Sequence, residues 1–142
     1  LEEHQKGKIV VDGIELSENT KNIEQARELK DDYSLAQSYL YRANLLWEES
    51  KYEKSLENYS NALPIFEKLG SGSDWVNTLN GIGFVYTILG MSEKAITIFT
   101  QAKKKAEEIQ DQATMDEASH LLGIECIFAK KYDDAFSIYY FN

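Results

Sequence analysis

Leu79-Asn80-Gly81-Ile82-Gly83-Phe84-Val85-Tyr86, then Leu89-Gly90-Met91-Ser92, then Ala95-Ile96-Thr97-Ile98-Phe99-Thr100-Gln101-Ala102 are the stretches on which the fold turns. In the first, Leu79, Ile82, Gly83 and Tyr86 recur at three- and four-residue spacing, and Ala95, Phe99, Ala102 and Ala106 do so in the last. Each is the stripe of a helix that buries one face. Between them, Gly90 suits the left-handed residue that ends a helix, and Ser92 suits a cap that accepts a bond from a free backbone N–H of the next. The expectation is a helical hairpin.

Outward from this hairpin the pattern repeats. Lys51-Tyr52-Glu53-Lys54-Ser55, Met91-Ser92-Glu93-Lys94-Ala95 and Lys131-Tyr132-Asp133-Asp134-Ala135 share one form, and their small last residues are 40 apart. The same step relates Tyr59, Phe99 and Tyr139, the small residues Ala43, Gly83 and Gly123, and Leu29, Leu69 and Ile109. So many positions in one register make an internal repeat. Helices are predicted near 33–49, 52–69, 74–89, 92–109, 113–129 and 132–142, with a further helix over 8–29 whose stripe is weakened by Gly13 and the polar run from Ser17 to Asn22. Residues 1–142 then form a single domain, with 8–29 a half repeat or capping helix, 33–69 and 74–109 full repeats, and 113–142 a truncated third. Gly70 would end the second repeat helix, and Ser73 or Asp74 would cap the next. Pro64, inside 52–69, removes one backbone donor and predicts a kink there, not a break.

Leu79-x2-Ile82-Gly83-x2-Tyr86, Gly90 and Ala95-x3-Phe99-x2-Ala102 closely resemble the tetratricopeptide repeat. The first unit keeps Tyr39, Ala43, Leu46, Ser55, Tyr59 and Ala62 but has Arg42, and the third keeps Leu122, Gly123, Cys126, Ala135 and Tyr139 but has Ser119. The resemblance covers 33–142. Its period exceeds the roughly 34-residue consensus, which is similar to the long-repeat subgroup found in bacterial signalling proteins, peptide receptors and adaptors. The resemblance implies an all-α, right-handed α-solenoid of antiparallel helix pairs that acts as a non-enzymatic scaffold, with a peptide or helical segment held in its concave groove.

In this family the first helices of successive units line that groove. Carried onto this chain at steps of 40, the groove rows are Gln37, Asn77 and Glu117; Leu40, Asn80 and His120; Asn44, Phe84 and Ile124; and Trp47, Thr87 and Ile127. Asn44 and Asn80 stand first among them, because a carboxamide offers both donor and acceptor to a peptide backbone whatever its side chains. Asn77, one turn before Asn80, is a third candidate, with Gln37 in the same row. Trp47, Tyr41 and Phe84 would serve as apolar anchors. Glu48 and Glu117 would add a negative rim that selects basic peptides. The form of the groove that grips a terminal carboxylate needs cations in these rows, and Leu40, Asn80 and His120 stand there instead.

Composition restricts the alternatives. The chain has 24 acidic and 15 basic residues in 142, a net charge of −9 that disfavours nucleic acid and anionic membranes and favours neutral or basic protein partners. No apolar run approaches the ~18 residues of a membrane span. A single cysteine, Cys126, suits a reducing compartment, so a cytoplasmic setting is expected. In repeat register Cys126 replaces Leu46 and Tyr86, and it is expected as a small buried residue. His4 and His120 are the only histidines and lack a partner at catalytic or metal-binding spacing, so no enzyme activity, metal or cofactor is expected. Lys103-Lys104-Lys105 followed by Glu107-Glu108 reads as a salt-bridged outer face.

By the repeat step the last helix would reach about residue 149, beyond Asn142, leaving Ala135, Phe136, Ile138, Tyr139 and Phe141 incompletely covered. Uncovered repeat ends associate. Self-association through the C-terminal helix, or docking within a larger signalling protein, is therefore the second expectation.

Overall fold

In a computed structural model the chain is all-α, with α1 over Glu2–Glu28, α2 over Asp32–Glu48, α3 over Tyr52–Lys68, α4 over Gly72–Ile88, α5 over Ser92–Ile109 and α6 over Gln112–Phe141. The structure describes the backbone of residues 2–141 and the side chains of residue 13 and of residues 15–130. Helices α2 to α6 begin at 32, 52, 72, 92 and 112, a beat of 20 residues. Two residues before each start, Lys30, Ser50, Gly70, Gly90 and Gln110 take left-handed backbone, with φ between 55° and 73°. In three of these turns the next residue donates its N–H five residues back, Asp31 to Ala26, Lys51 to Leu46 and Met91 to Tyr86, at 2.9 Å each. That bond satisfies a carbonyl the helix end would leave free.

Glycine meets the left-handed requirement at 70 and 90 without steric cost. At 30 and 110 the residue is Lys and Gln, and an aspartate follows each. The Asp31 carboxylate accepts from the Ser34 hydroxyl at 2.7 Å and from its N–H at 3.1 Å. Asp111 accepts from the Ser73 hydroxyl at 2.6 Å and the Thr114 N–H at 3.2 Å, which ties the start of α6 to the start of α4. These bonds, led by the serine hydroxyl in each case, hold both carboxyls below the usual carboxylate range.

Two compact units divide the chain, Leu1–Gly70 and Ser71–Asn142. In the first, α2 packs on both α1 and α3. Its core holds Ile23, Ala26, Ala36, Ala43, Leu46, Tyr59, Ala62 and Phe66, and the Ser55 hydroxyl donates to the Ala43 carbonyl at 2.8 Å where α2 crosses α3. In the second, α4 pairs with α5, and α6 packs on α5 and on α4. Val76, Leu79, Ile82, Val85, Ala95, Phe99, Ala102, Ala106, Ala118 and Leu121 are buried there. Phe66 and Phe99 anchor the two cores, each worth ~1.5–3 kcal/mol of burial. A Cβ on Gly83 would overlap the Phe99 ring, so the α4–α5 crossing requires glycine.

The helix pairs match expectation through residue 109, and the differences have local causes. Helix α4 starts at Gly72 rather than 74, because the left-handed turn at Gly70 sets the start two residues on; Ser71 is its N-cap residue, with its hydroxyl on Asp74 Oδ2 at 2.5 Å. Met91, not Ser92, caps α5, since the 20-residue beat puts Ser92 at the first helical position. Helix α3 passes through Pro64 unbroken. Helix α1 begins at Glu2 rather than near residue 8. The break expected between 129 and 132 is not made, and α6 continues to Phe141. Lys130 falls where the beat would place a left-handed residue, the position that Lys30 fills with left-handed backbone, and at 130 the helix continues instead. Without a hairpin partner over that face, Cys126 is exposed rather than buried. The side chains of His4, Ala135, Phe136, Ile138, Tyr139 and Phe141 lie outside the described residues.

Candidate functional site

In the first unit, Gln37, Tyr41, Asn44, Trp47 and Glu48 are all exposed on α2. Gln37 and Tyr41 line a cleft of about 470 Å³ between α1 and α2. Opposite them stand Asn19, Asn22 and Gln25 of α1, with Ser34 and Ser38 of α2 between. Asn19 is 2% exposed; its Nδ2 donates to the Ser38 carbonyl at 2.9 Å while its Oδ1 has no partner. Gln37 Nε2 donates to the Tyr33 hydroxyl at 3.1 Å. The cleft is thus floored by amides and hydroxyls that can exchange bonds with a polar backbone. Asn44 is less free than expected, since its Oδ1 accepts from the Tyr59 hydroxyl at 2.5 Å. Burial outweighs the Ser55 hydroxyl beside Tyr59 and pushes that phenol up to about 12.

In the second unit, Asn77 is exposed and Asn80 is buried, at 3% exposure. Neither Nδ2 nor Oδ1 of Asn80 has a hydrogen-bond partner. One turn on, Phe84 is exposed at its rim and meets the Phe99 ring edge-on, with centroids 6.1 Å apart and planes at 85°. The Thr87 hydroxyl donates to Glu125 Oε2 at 3.0 Å and fixes α4 against α6 at this level. Around that bond Phe84 and Ile88 on α4 and Ile124 and Phe128 on α6 are exposed, forming an apolar strip, while Ile127 is exposed on the opposite side of α6. His120 and Glu117 are exposed on α6. No helix among the described residues is long and apolar enough to cross a membrane. Among the same residues no three His, Cys, Asp or Glu groups gather as metal ligands would.

The family model for the tetratricopeptide repeat matches residues 34–108, more than half of the chain. The chain belongs to the tetratricopeptide repeat family. Such repeats mediate protein–protein interactions and are non-enzymatic scaffolds. A short stretch of this tetratricopeptide repeat chain is similar to an uncharacterized amino-acid ABC transporter ATP-binding protein, YhdZ, of Escherichia coli (strain K12). It is 68% identical over 28 residues, 20% of this chain and 11% of that protein. A match of that length carries no activity across.

Two features of the tetratricopeptide surface escaped the sequence reading. Asn19 and Asn22 belong to the polar run that interrupts the α1 stripe, and that interruption was the signal of a cleft wall. Glu125, 2% exposed, sits in the column of Leu45 and Val85, where a carboxylate breaks an apolar series. Lys105 behaves as expected, 3.6 Å from Glu108 and with its ammonium 6.0 Å from the Trp75 ring centroid.

Proposed function

We propose that this tetratricopeptide repeat chain is a cytoplasmic scaffold whose units each hold a neutral or basic peptide or helical segment on the exposed face of a first helix. In the second unit the bound segment would displace the side chains that cover Asn80, which is 3% exposed in the free chain, and pair its own N–H and C=O with that carboxamide, with Asn77 beside it and Phe84 and the apolar strip receiving its side chains. In the first unit Gln37, Tyr41 and Trp47 are the corresponding contacts, and Asn44 contributes its free Nδ2. Glu48 and Glu117 favour basic side chains, as does the net charge of −9. His120 marks the α6 edge of the surface.

One observation carries the reading: a buried carboxamide with both hydrogen-bonding atoms unpaired, beside an exposed apolar strip. A group desolvated at such cost is well suited to a ligand backbone that supplies the missing bonds. The test is peptide-library panning against the wild type and an Asn44→Ala, Asn80→Ala double variant, both checked by circular dichroism. Related peptides enriched on the wild type alone support backbone capture. Equal enrichment on both, or on neither, overturns it.

A further inference from the structure

Among the described residues Glu125 is the one charged side chain in the interior, at 2% exposure. It stands on α6 at the register where the two earlier first helices carry Leu45 and Val85, both buried, so packing does not call for a carboxylate there. Buried carboxylates are ordinarily paired with a cation. Here none is within reach, since the ion pairs among the described residues are Lys51 with Glu49, Lys68 with Asp32 and Lys105 with Glu108. The hydrogen bond that Glu125 does receive is a shared one. The Thr87 hydroxyl lies 3.0 Å from Glu125 Oε2 and also 3.0 Å from the Gly83 carbonyl, and a hydroxyl has one proton to donate.

The surroundings define what would complete the site. Phe84 and Ile88 on α4 and Ile124 and Phe128 on α6 are exposed around the Thr87–Glu125 bond. A positive charge at the end of an apolar stem fits such a setting, and that is the form of a lysine or arginine side chain. A bound metal ion would need further oxygen or nitrogen ligands, and no three His, Cys, Asp or Glu groups gather among the described residues.

We propose that Glu125 is the specificity residue of the α4–α6 surface, selecting one lysine or arginine within an otherwise apolar peptide segment. The stem of that side chain crosses the strip and its charged end takes the carboxylate. Glu125 lies beneath the strip, so the incoming group parts exposed side chains to reach it. In that water-poor position a charge-assisted hydrogen bond is roughly twice as strong as one between neutral groups. The inference rests on peptide capture by this surface and adds to it the charge the captured segment must carry. The division of labour is chemical: the Asn80 carboxamide pairs with backbone whatever the side chains, whereas Glu125 discriminates among side chains.

Panning one library of helix-forming peptides against the wild type and a Glu125→Gln chain, with both folds checked by circular dichroism, tests this. The wild type should enrich peptides with lysine or arginine at one fixed position among apolar residues, and the variant should show no preference at that position. In fluorescence anisotropy, changing that basic residue to glutamine should weaken binding to the wild type at least about tenfold, and to Glu125→Gln less than about twofold. Peptides enriched on the wild type without a fixed basic position overturn selection by Glu125 and leave backbone capture standing. No enrichment on the wild type overturns both. Glu125→Leu, which restores the residue type of Leu45, separates recognition from a purely structural link between α4 and α6. Its urea midpoint should be no lower than that of the wild type while the preference for a basic residue is lost. A lower midpoint with that preference intact would show that the carboxylate only joins the two helices, and would overturn the proposal.

Discussion

Replacing Asn80 by leucine should make the free chain more stable and its grip on a partner weaker. Asn80 is 3% exposed and both polar atoms of its carboxamide lack partners. One such buried group costs ~1–3 kcal/mol, so the two together set an upper bound of about 6 kcal/mol. Leucine shares the branch at the γ-carbon and occurs at the same register as Leu40, half-buried in α2. Its extra volume costs ~1–3 kcal/mol in a packed site, which leaves a net gain of about 2 kcal/mol at the middle of both ranges. Urea unfolding followed by Trp75 fluorescence in a Trp47→Phe background reports on the second unit, because each unit holds one of the two tryptophans. The midpoint should rise with the denaturant slope unchanged. Peptides selected on the wild type should bind the variant at least about tenfold more weakly, the loss of one or two backbone hydrogen bonds. A variant less stable than the wild type would show that the carboxamide is satisfied in the free chain, and the reasoning from its unpaired atoms would fail. A more stable variant with unchanged peptide affinity would remove Asn80 from the binding surface.

Gly83→Ala places a methyl in the Phe99 ring, and overpacking outweighs the helix propensity gained, for a net loss of about 1–2 kcal/mol by thermal or urea unfolding. Tyr59→Phe removes the donor to Asn44 Oδ1 and should cost about 1 kcal/mol, read by the same unfolding curves. The pH profile of the wild type has a matching alkaline limb. Tyr59 is held neutral up to about 12 in the folded chain, whereas the unfolded chain ionises near 10, so its contribution is whole below pH 10 and lost between 10 and 12. Tyr59→Phe should flatten that limb. At the acid end the lowered carboxyls of Asp31 and Asp111 contribute stability above their unfolded pKa near 3.8 that falls away below it. Asp111→Asn should reduce that acid loss in urea titrations between pH 5 and about 2.

The helix pairs were legible because the step of 40 is carried by residues whose chemistry has one use in a hairpin. Phe99 fills the crossing that Gly83 opens, and Gly70 and Gly90 take the backbone that ends a helix. The continuation of α6 through 130 was not legible from the repeat, since register supplies the position and lysine stands there in both outcomes, left-handed at Lys30 and helical at Lys130. The fate of Cys126 followed from the same place, 4 residues upstream of that missing turn. On the candidate surface Gln37, Tyr41, Trp47 and Phe84 are exposed. Register could not foresee that Asn80 would be covered or that Asn44 would already hold Tyr59, because both depend on neighbours brought in by packing. The cleft wall at Asn19 and Asn22 lies outside the repeat altogether.

The left-handed residues at 30, 50, 70, 90 and 110 also set the rules by which this sequence can be lengthened or shortened. Each apolar stripe is measured from the turn before it, and one residue added inside a helix rotates everything downstream by about 100° until the next turn resets it. Errors of phase are therefore confined to single helices from α2 through α5. Along α6 no reset intervenes before Phe141, so an insertion near Gln112 would swing all the later residues of that helix out of register together. Grafting or excising whole 40-residue blocks between left-handed positions should leave the remaining helices in phase, and the natural joints for doing so are the turns themselves.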